Sequence, residues 1–195
     1  MKRKLQFLIP LILLVAVSNQ TFAQLNFAKK VIDVSREYSP YPEDNCAAQS
    51  LGKPNVYPTY GDEVSAWTPN NFGDQRDNLT LWFDNVGPID SIAIYQTNEP
   101  GVIDSVWVKN PASSIWDLVY FATPAPTLSG VAEILEISFP MTTYNVSEIK
   151  IGLANDLATD YVGIDAVGIF PNTPSIVPLN NSGNSIVFDG VDDKF

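Results

Sequence analysis

The chain contains no histidine among its 195 residues. That removes the commonest general base and the commonest metal-ligating nitrogen. The single cysteine, Cys46, has no imidazole to activate it and reads as a small buried apolar side chain. There is no Gly-x-Ser-x-Gly elbow and no phosphate-cradling glycine loop. Two-carboxylate hydrolysis is left as a formal chemistry, with acids such as Asp104 and Glu136, but 22 acidic residues produce apparent pairs by chance. These residue types point away from catalysis and towards binding.

For binding, the informative residues are aromatic. Tyr38, Tyr41, Tyr57 and Tyr60 crowd into residues 37–75, a stretch rich in Pro, Asn, Gly and Asp. Tyrosine rings stack on sugar rings, and Asn and Asp side chains supply hydrogen bonds, so the composition suits a glycan rim. The alternative is that these tyrosines plug one end of a sandwich. An irregular stretch this long in a compact domain is usually functional or pinned.

The elements that must position this stretch are strands. Residues 79–83, 91–95, 103–108, 116–120, 135–139, 148–153 and 166–170 are short, rich in β-branched or aromatic residues, and mostly bounded by Asn, Asp, Gly or Pro. No helical period is sustained among them. Seven or so short strands at regular spacing predict an antiparallel sandwich. Period-two alternation places Leu79, Leu81 and Phe83 on one face and Trp82 on the other. Trp67, where the loop meets the sheet, is expected in the core; Trp107 and Trp116 are expected as packing or surface residues. Residues 24–36 read as a lead-in, with Phe27 and Val31-Ile32 as packing points.

The ends of the chain concern location. Met1-Lys2-Arg3-Lys4 is a cationic start, an apolar run follows from Phe7 to Val17, and Ala23 precedes Gln24. This is the layout of a secretory signal peptide over residues 1–23, cleaved after Ala23. The apolar run of 11 residues is short of the roughly 20 that a spanning helix needs. Cleavage leaves 8 basic and 22 acidic residues, a net charge of −14. Such a surface repels nucleic-acid phosphates and anionic membranes, so no nucleic acid is expected, and with no second long apolar segment no membrane insertion of the mature chain is expected. Residues 172–184 carry a proline-rich linker composition. Residues 185–195 read as the truncated start of a second β domain, in a longer secreted or cell-surface protein.

Three ordered motifs carry a resemblance. They are Leu51-Gly-Lys-Pro-Asn-Val-Tyr-Pro58 running on to Trp67-Thr68-Pro69, Ile92-Ala-Ile-Tyr-Gln-Thr-Asn-Glu-Pro-Gly-Val-Ile103, and Val162-Gly-Ile-Asp-Ala-Val-Gly-Ile-Phe170. Over residues 28–171 the chain resembles the galactose-binding-like family of discoidin and coagulation-factor C-type domains. The tail at 185–195 resembles the opening of a laminin-G or concanavalin-like lectin domain. The resemblance implies an all-β, antiparallel jelly-roll β-sandwich of about eight strands, used for binding or adhesion. It also implies a structural calcium in the early loop. Members often carry Asp-x-x-Thr-x-Trp there, matched here by Asp62, Ser65 and Trp67, with Asp165 beside the last strand completing the set. Calcium takes six to eight oxygens, and a Pro- and Gly-rich loop exposes carbonyls readily.

Three functions are compatible with these residues. The first is a non-catalytic module that binds a glycan or glycoconjugate outside the cytoplasm. The second is an adhesive spacer with no small ligand. The third is an accessory domain of an enzyme whose catalytic part lies elsewhere.

Overall fold

The computed structural model describes residues 25–85, 87–126 and 130–171. The segments read as a signal peptide, a linker and the start of a further domain lie outside the described residues. Within them the chain forms nine strands and two short 3-10 turns. None of the described helices is long and apolar enough to cross a membrane.

The strands are β1 (Asn26–Phe27), β2 (Lys30–Val34), β3 (Asp77–Trp82), β4 (Ile89–Asn98), β5 (Ile103–Lys109), β6 (Trp116–Phe121), β7 (Glu133–Ser138), β8 (Glu148–Leu153) and β9 (Gly163–Pro171). They make two antiparallel sheets, ordered β1-β9-β4-β7 and β2-β3-β8-β5-β6. The chain crosses repeatedly between the two, so strands adjacent in sequence seldom share a sheet edge. This is the β-sandwich that the strand spacing predicts. All seven predicted strands are present.

The other two arise from the lead-in. β1 pairs with β9, and β2 pairs with β3 through a bulge between Val31 and Asp33. The bulge breaks the period-two alternation, which hides the strand in the sequence. It turns Val31 and Val34 towards the core and leaves Ile32 exposed. The expectation that Ile32 packs inward is thereby corrected. The sandwich also begins at Asn26, two residues before the boundary read from the motifs.

Leu79, Leu81 and Phe83 are fully buried and Trp82 is half-buried on the outer face, as alternation requires. With Ile92, Ile94, Ile149, Ile151, Ile164 and Ile169 they fill the space between the sheets. Each such side chain contributes about 1.5 to 3 kcal/mol on burial. Trp67 is fully buried, pairs with Ile164 through an isolated bridge, and donates its indole N–H to the Arg36 carbonyl at 3.3 Å. Cys46 is buried and free.

Candidate functional site

One end of the sandwich is where β4, β8 and the chain leading to β3, β5 and β9 meet. Four segments close it: residues 36–45, 68–76, 98–102 and 154–162. Their backbones satisfy one another: Tyr38 N–H donates to Thr68 O at 2.9 Å, Gly73 N–H to Asn155 O at 2.8 Å, and Asn155 Nδ2 to Asn71 O at 2.7 Å. The peptide bonds before Pro42 and Pro58 are cis.

Buried carboxylates hold these segments in place. Asp77 has a fully buried side chain. It accepts from Arg36 Nε and Nη2 at 2.9 and 2.7 Å, from Ser35 Oγ at 2.6 Å and from Asn155 Nδ2 at 3.0 Å. Arg36 also forks onto Asp74, at 2.8 Å to each oxygen. The hydrogen bonds that it donates to Asp77, then to Asp74, push the guanidinium further up, and Arg36 in turn holds the exposed Asp74 carboxyl below the usual range.

Glu99 is the second anchor. It sits in the turn between β4 and β5 at φ +44°, a region that costs energy for a residue other than glycine. Its fully buried carboxylate accepts Thr159 N–H and Thr159 Oγ1 at 2.6 Å each, and Asp160 N–H at 2.7 Å. A carboxylate with three donors offsets its desolvation and fixes two loops at once.

On this frame stand the aromatic residues. Tyr38, 52 % exposed, meets Tyr161 edge-on at 5.6 Å between ring centroids and 89°. Phe72, 40 % exposed, meets the same ring at 5.0 Å and 85°. Tyr161 is held from behind, since its carbonyl accepts Asn98 Nδ2 at 2.6 Å. The three rings form a clustered platform with Tyr38 and Phe72 exposed and Tyr161 half-buried, next in sequence to Asp160 and, at Phe72, two residues from Asp74.

The four tyrosines of the sequence reading do not come together as one rim. Only Tyr38 belongs to this platform. Tyr57 packs edge-on against Tyr95 at 5.4 Å, and Tyr95 in turn meets Phe27 at 6.2 Å, outside the four-stranded sheet. Tyr41 is highly exposed and Tyr60 half-buried, and neither has a ring contact among the described residues. Phe72 and Tyr161 were missed because each stands alone in the sequence. The signal that could have found Tyr161 is its place two residues before the last strand, in a loop that the topology returns to this end.

Of the calcium set expected from the resemblance, Asp165 is engaged by the backbone of the early loop. Asp165 is buried, and its two oxygens accept three backbone amides: Asn55 and Val56 at 3.1 Å and Tyr57 at 2.8 Å. The loop thus turns N–H groups, not carbonyls, towards this carboxylate. Asp62 stands at the surface. Partial burial, then Asp160 and Glu63, push its carboxyl up, and Ser65 is half-buried nearby in sequence. Among the described residues, no three acidic or sulfur side chains are grouped to hold a metal ion. Asp165 is instead a third loop anchor, built like Glu99.

The two acids considered for hydrolysis lie on different sheets. Asp104, on β5, is buried, pairs with Arg76 and accepts Ser105 Oγ at 2.6 Å. Glu136, on β7, is exposed.

No family model matches the chain, and no curated protein matches it. Solved structures do. Chitosan-binding module 1 of a chitosanase/glucanase from Paenibacillus sp. IK-5 aligns at 11 % identity and TM-score 0.52, covering 74 % of this chain and 96 % of that one. The family 32 carbohydrate-binding module of Streptococcus pneumoniae EndoD aligns at 8 % identity and TM-score 0.50, over 73 % and 94 %. XRCC1, in its reduced form bound to the DNA polymerase β catalytic domain, aligns at 12 % identity and TM-score 0.57, over 77 % and 100 %. The likeness is one of fold. At these identities it shows the β-sandwich alone and assigns no ligand.

Proposed function

We propose that this chain is a non-catalytic carbohydrate-binding module of a protein working outside the cytoplasm, and that it binds sugar at the platform of Tyr38, Phe72 and Tyr161. The observation that carries the reading is this braced trio of rings, two of them exposed, on a β-sandwich. Sugar C–H faces stack on aromatic rings, and the neighbouring carboxylates accept hydroxyl hydrogen bonds. Two of the similar folds belong to carbohydrate-binding modules, which supports the same reading. Arg36 neutralises Asp74, while Asp160 beside Tyr161 has no ion pair among the described residues and favours a neutral or amino sugar over an acidic one. The formal charge of −11 disfavours a nucleic-acid backbone as the partner.

A glycan array followed by titration calorimetry tests this. Tyr161→Ala and Tyr38→Ala should each weaken the best neutral or amino-sugar ligand about tenfold or more, at unchanged fold, since hot-spot aromatics commonly cost over 1 kcal/mol on truncation. An array without a ligand, or affinity indifferent to both variants, overturns it in favour of an adhesive spacer.

A further inference from the structure

The outer face of the five-stranded sheet bears a second arrangement. Cross-strand pairing sets Asp33, Thr80, Lys150, Trp107 and Leu118 in one row across all five strands. The next row is Asn78, Gly152 and Ser105, all small or short. The drop in side-chain size between the two rows opens a groove of about 420 Å³. Trp107 and Lys150 wall it, Gly152 and Ser105 form its floor, and Arg76 and Asn78 line it further along. Gly152 is required there. A Cβ at this position would come within 2.5 Å of Ser105 Oγ and 3.1 Å of the Trp107 ring.

Lys150 is the unusual group. Its ammonium lies 4.9 Å from the Trp107 ring centre and 5.0 Å from that of Trp116. No carboxylate lies within ion-pair distance of it among the described residues. Lys109, one strand away, shows the contrast: it also approaches Trp116, at 5.6 Å, but is paired with Glu148 at 2.7 Å. Lys29, Lys30 and Lys53 also have no ion pair among the described residues; what sets Lys150 apart is that its ammonium lies against two indole rings. The direct neighbours of Lys150 across the sheet are Thr80 and Trp107, so the register itself withholds a counter-charge. Four of the seven basic side chains in the described residues, Lys30, Arg76, Lys109 and Lys150, lie on or beside this face. Two acids line the groove: Asp33, exposed on the edge strand, and Asp77, buried and already engaged by Arg36, Ser35 and Asn155.

We infer that this groove is a second ligand site, for an acidic sugar: a pyranose whose ring lies against Trp107 and whose carboxylate or sulfate pairs with Lys150. An indole wall supplies the sugar-ring contact, an unneutralised ammonium supplies the anion contact, and Asn78, Ser105 and Arg76 supply hydrogen bonds to hydroxyls. The site is independent of the loop-end platform, which has Asp160 beside Tyr161 and suits a ligand of the other kind.

Tryptophan fluorescence of the full chain is titrated with a galacturonate trimer, a sulfated galactose trimer and a neutral galactose trimer. At least one of the two acidic trimers should perturb the emission at saturable concentration, and raised salt should weaken the binding. The arm that binds says whether carboxylate or sulfate is the anion. Lys150→Met should lose about tenfold or more in affinity and Lys150→Arg should retain it, with circular dichroism and the melting midpoint confirming that both fold. The inference is overturned if neither acidic trimer binds, if the neutral trimer binds as well as they do, or if Lys150→Met binds normally. Acid-sugar binding lost in Tyr38→Ala but kept in Lys150→Met would place the ligand on the loop-end platform and also overturn it. Failure of the neutral-sugar reading at that platform leaves the groove untouched.

Discussion

Glu99 and Thr159 are joined twice, since one buried carboxylate oxygen accepts both the backbone N–H and the hydroxyl of Thr159 at 2.6 Å. The turn after β4 is thereby locked to the segment that carries Tyr161 into the aromatic platform. Glu99→Ala would leave the Thr159 and Asp160 amides without their acceptor and keep a strained φ with nothing to hold it. A loss of about 2 to 3 kcal/mol in urea unfolding is expected, with weaker sugar binding at the platform. Stability equal to wild type would show that water replaces the carboxylate fully.

Arg36 and Asp77 make a different kind of anchor, because here the acid depends on a cation. Arg36→Met strands a buried carboxylate that retains only Ser35 and Asn155, and a loss of about 3 to 5 kcal/mol is expected. The double variant Arg36→Met with Asp77→Leu should recover part of it, since no charge is then buried alone. Chemical denaturation of wild type and the two variants checks this, and a double variant no better than the single one rejects the account.

The exposed partner, Asp74, makes the cluster acid-sensitive. Its carboxyl is held below its ordinary value by Arg36, so the folded state binds a proton less readily than the unfolded chain. The stability it contributes is present above the unfolded carboxylate value of about 3.9 and is lost as pH falls towards the depressed folded value. Asp74→Asn should therefore lower the melting midpoint at pH 6 and converge with wild type as the pH drops below 3. A gap that stays constant across that range would mean the aspartate acts through packing and not through charge.

Strand positions were legible because their alternation is clean: Leu79, Leu81 and Phe83 announce an inner face, and Trp82 an outer one. β2 was not legible, because one extra residue at its bulge puts Ile32 out of step. The site was legible only in part. Tyr38 and Phe72 sit 34 residues apart in the visibly loop-like stretch, whereas Tyr161 joins from 123 residues beyond Tyr38, and only the topology brings the three together. The anchoring acids were hidden for another reason. In a chain with 22 acidic residues, nothing local separates a buried Asp77, Glu99 or Asp165 from a solvated carboxylate. The placing of Lys150 against the indoles of the outer sheet face follows from register, which sets it beside Thr80 and Trp107.

Asp165 bears on the metal. Its two oxygens already accept the three amides of residues 55–57, so an ion would have to share an anchoring carboxylate. The melting midpoint of the chain is expected to be the same in calcium as in excess chelator. Asp165→Asn should lower it in both, because an amide accepts through one oxygen where the carboxylate accepts through two. A calcium-dependent rise that Asp62→Asn abolishes would restore the loop to a metal site.

Asp62 yields a prediction of opposite sign to Asp74. Partial burial, then Asp160 and Glu63, raise its folded value, so its ionised form is less favourable in the folded chain than in the unfolded one. Its ionisation costs stability at neutral pH, and the cost disappears as pH falls below the unfolded carboxylate value, where the group is protonated in both states. Asp62→Asn should therefore melt slightly above wild type at pH 7 and level with it near pH 3. The gain is small, because Asp62 is exposed and solvent screens its neighbours. Midpoints measured for the two proteins across pH 3 to 7 check it. A variant that melts lower at pH 7 would show that the carboxylate makes a favourable contact, with a cation or a loop amide, that outweighs the repulsion from Asp160 and Glu63.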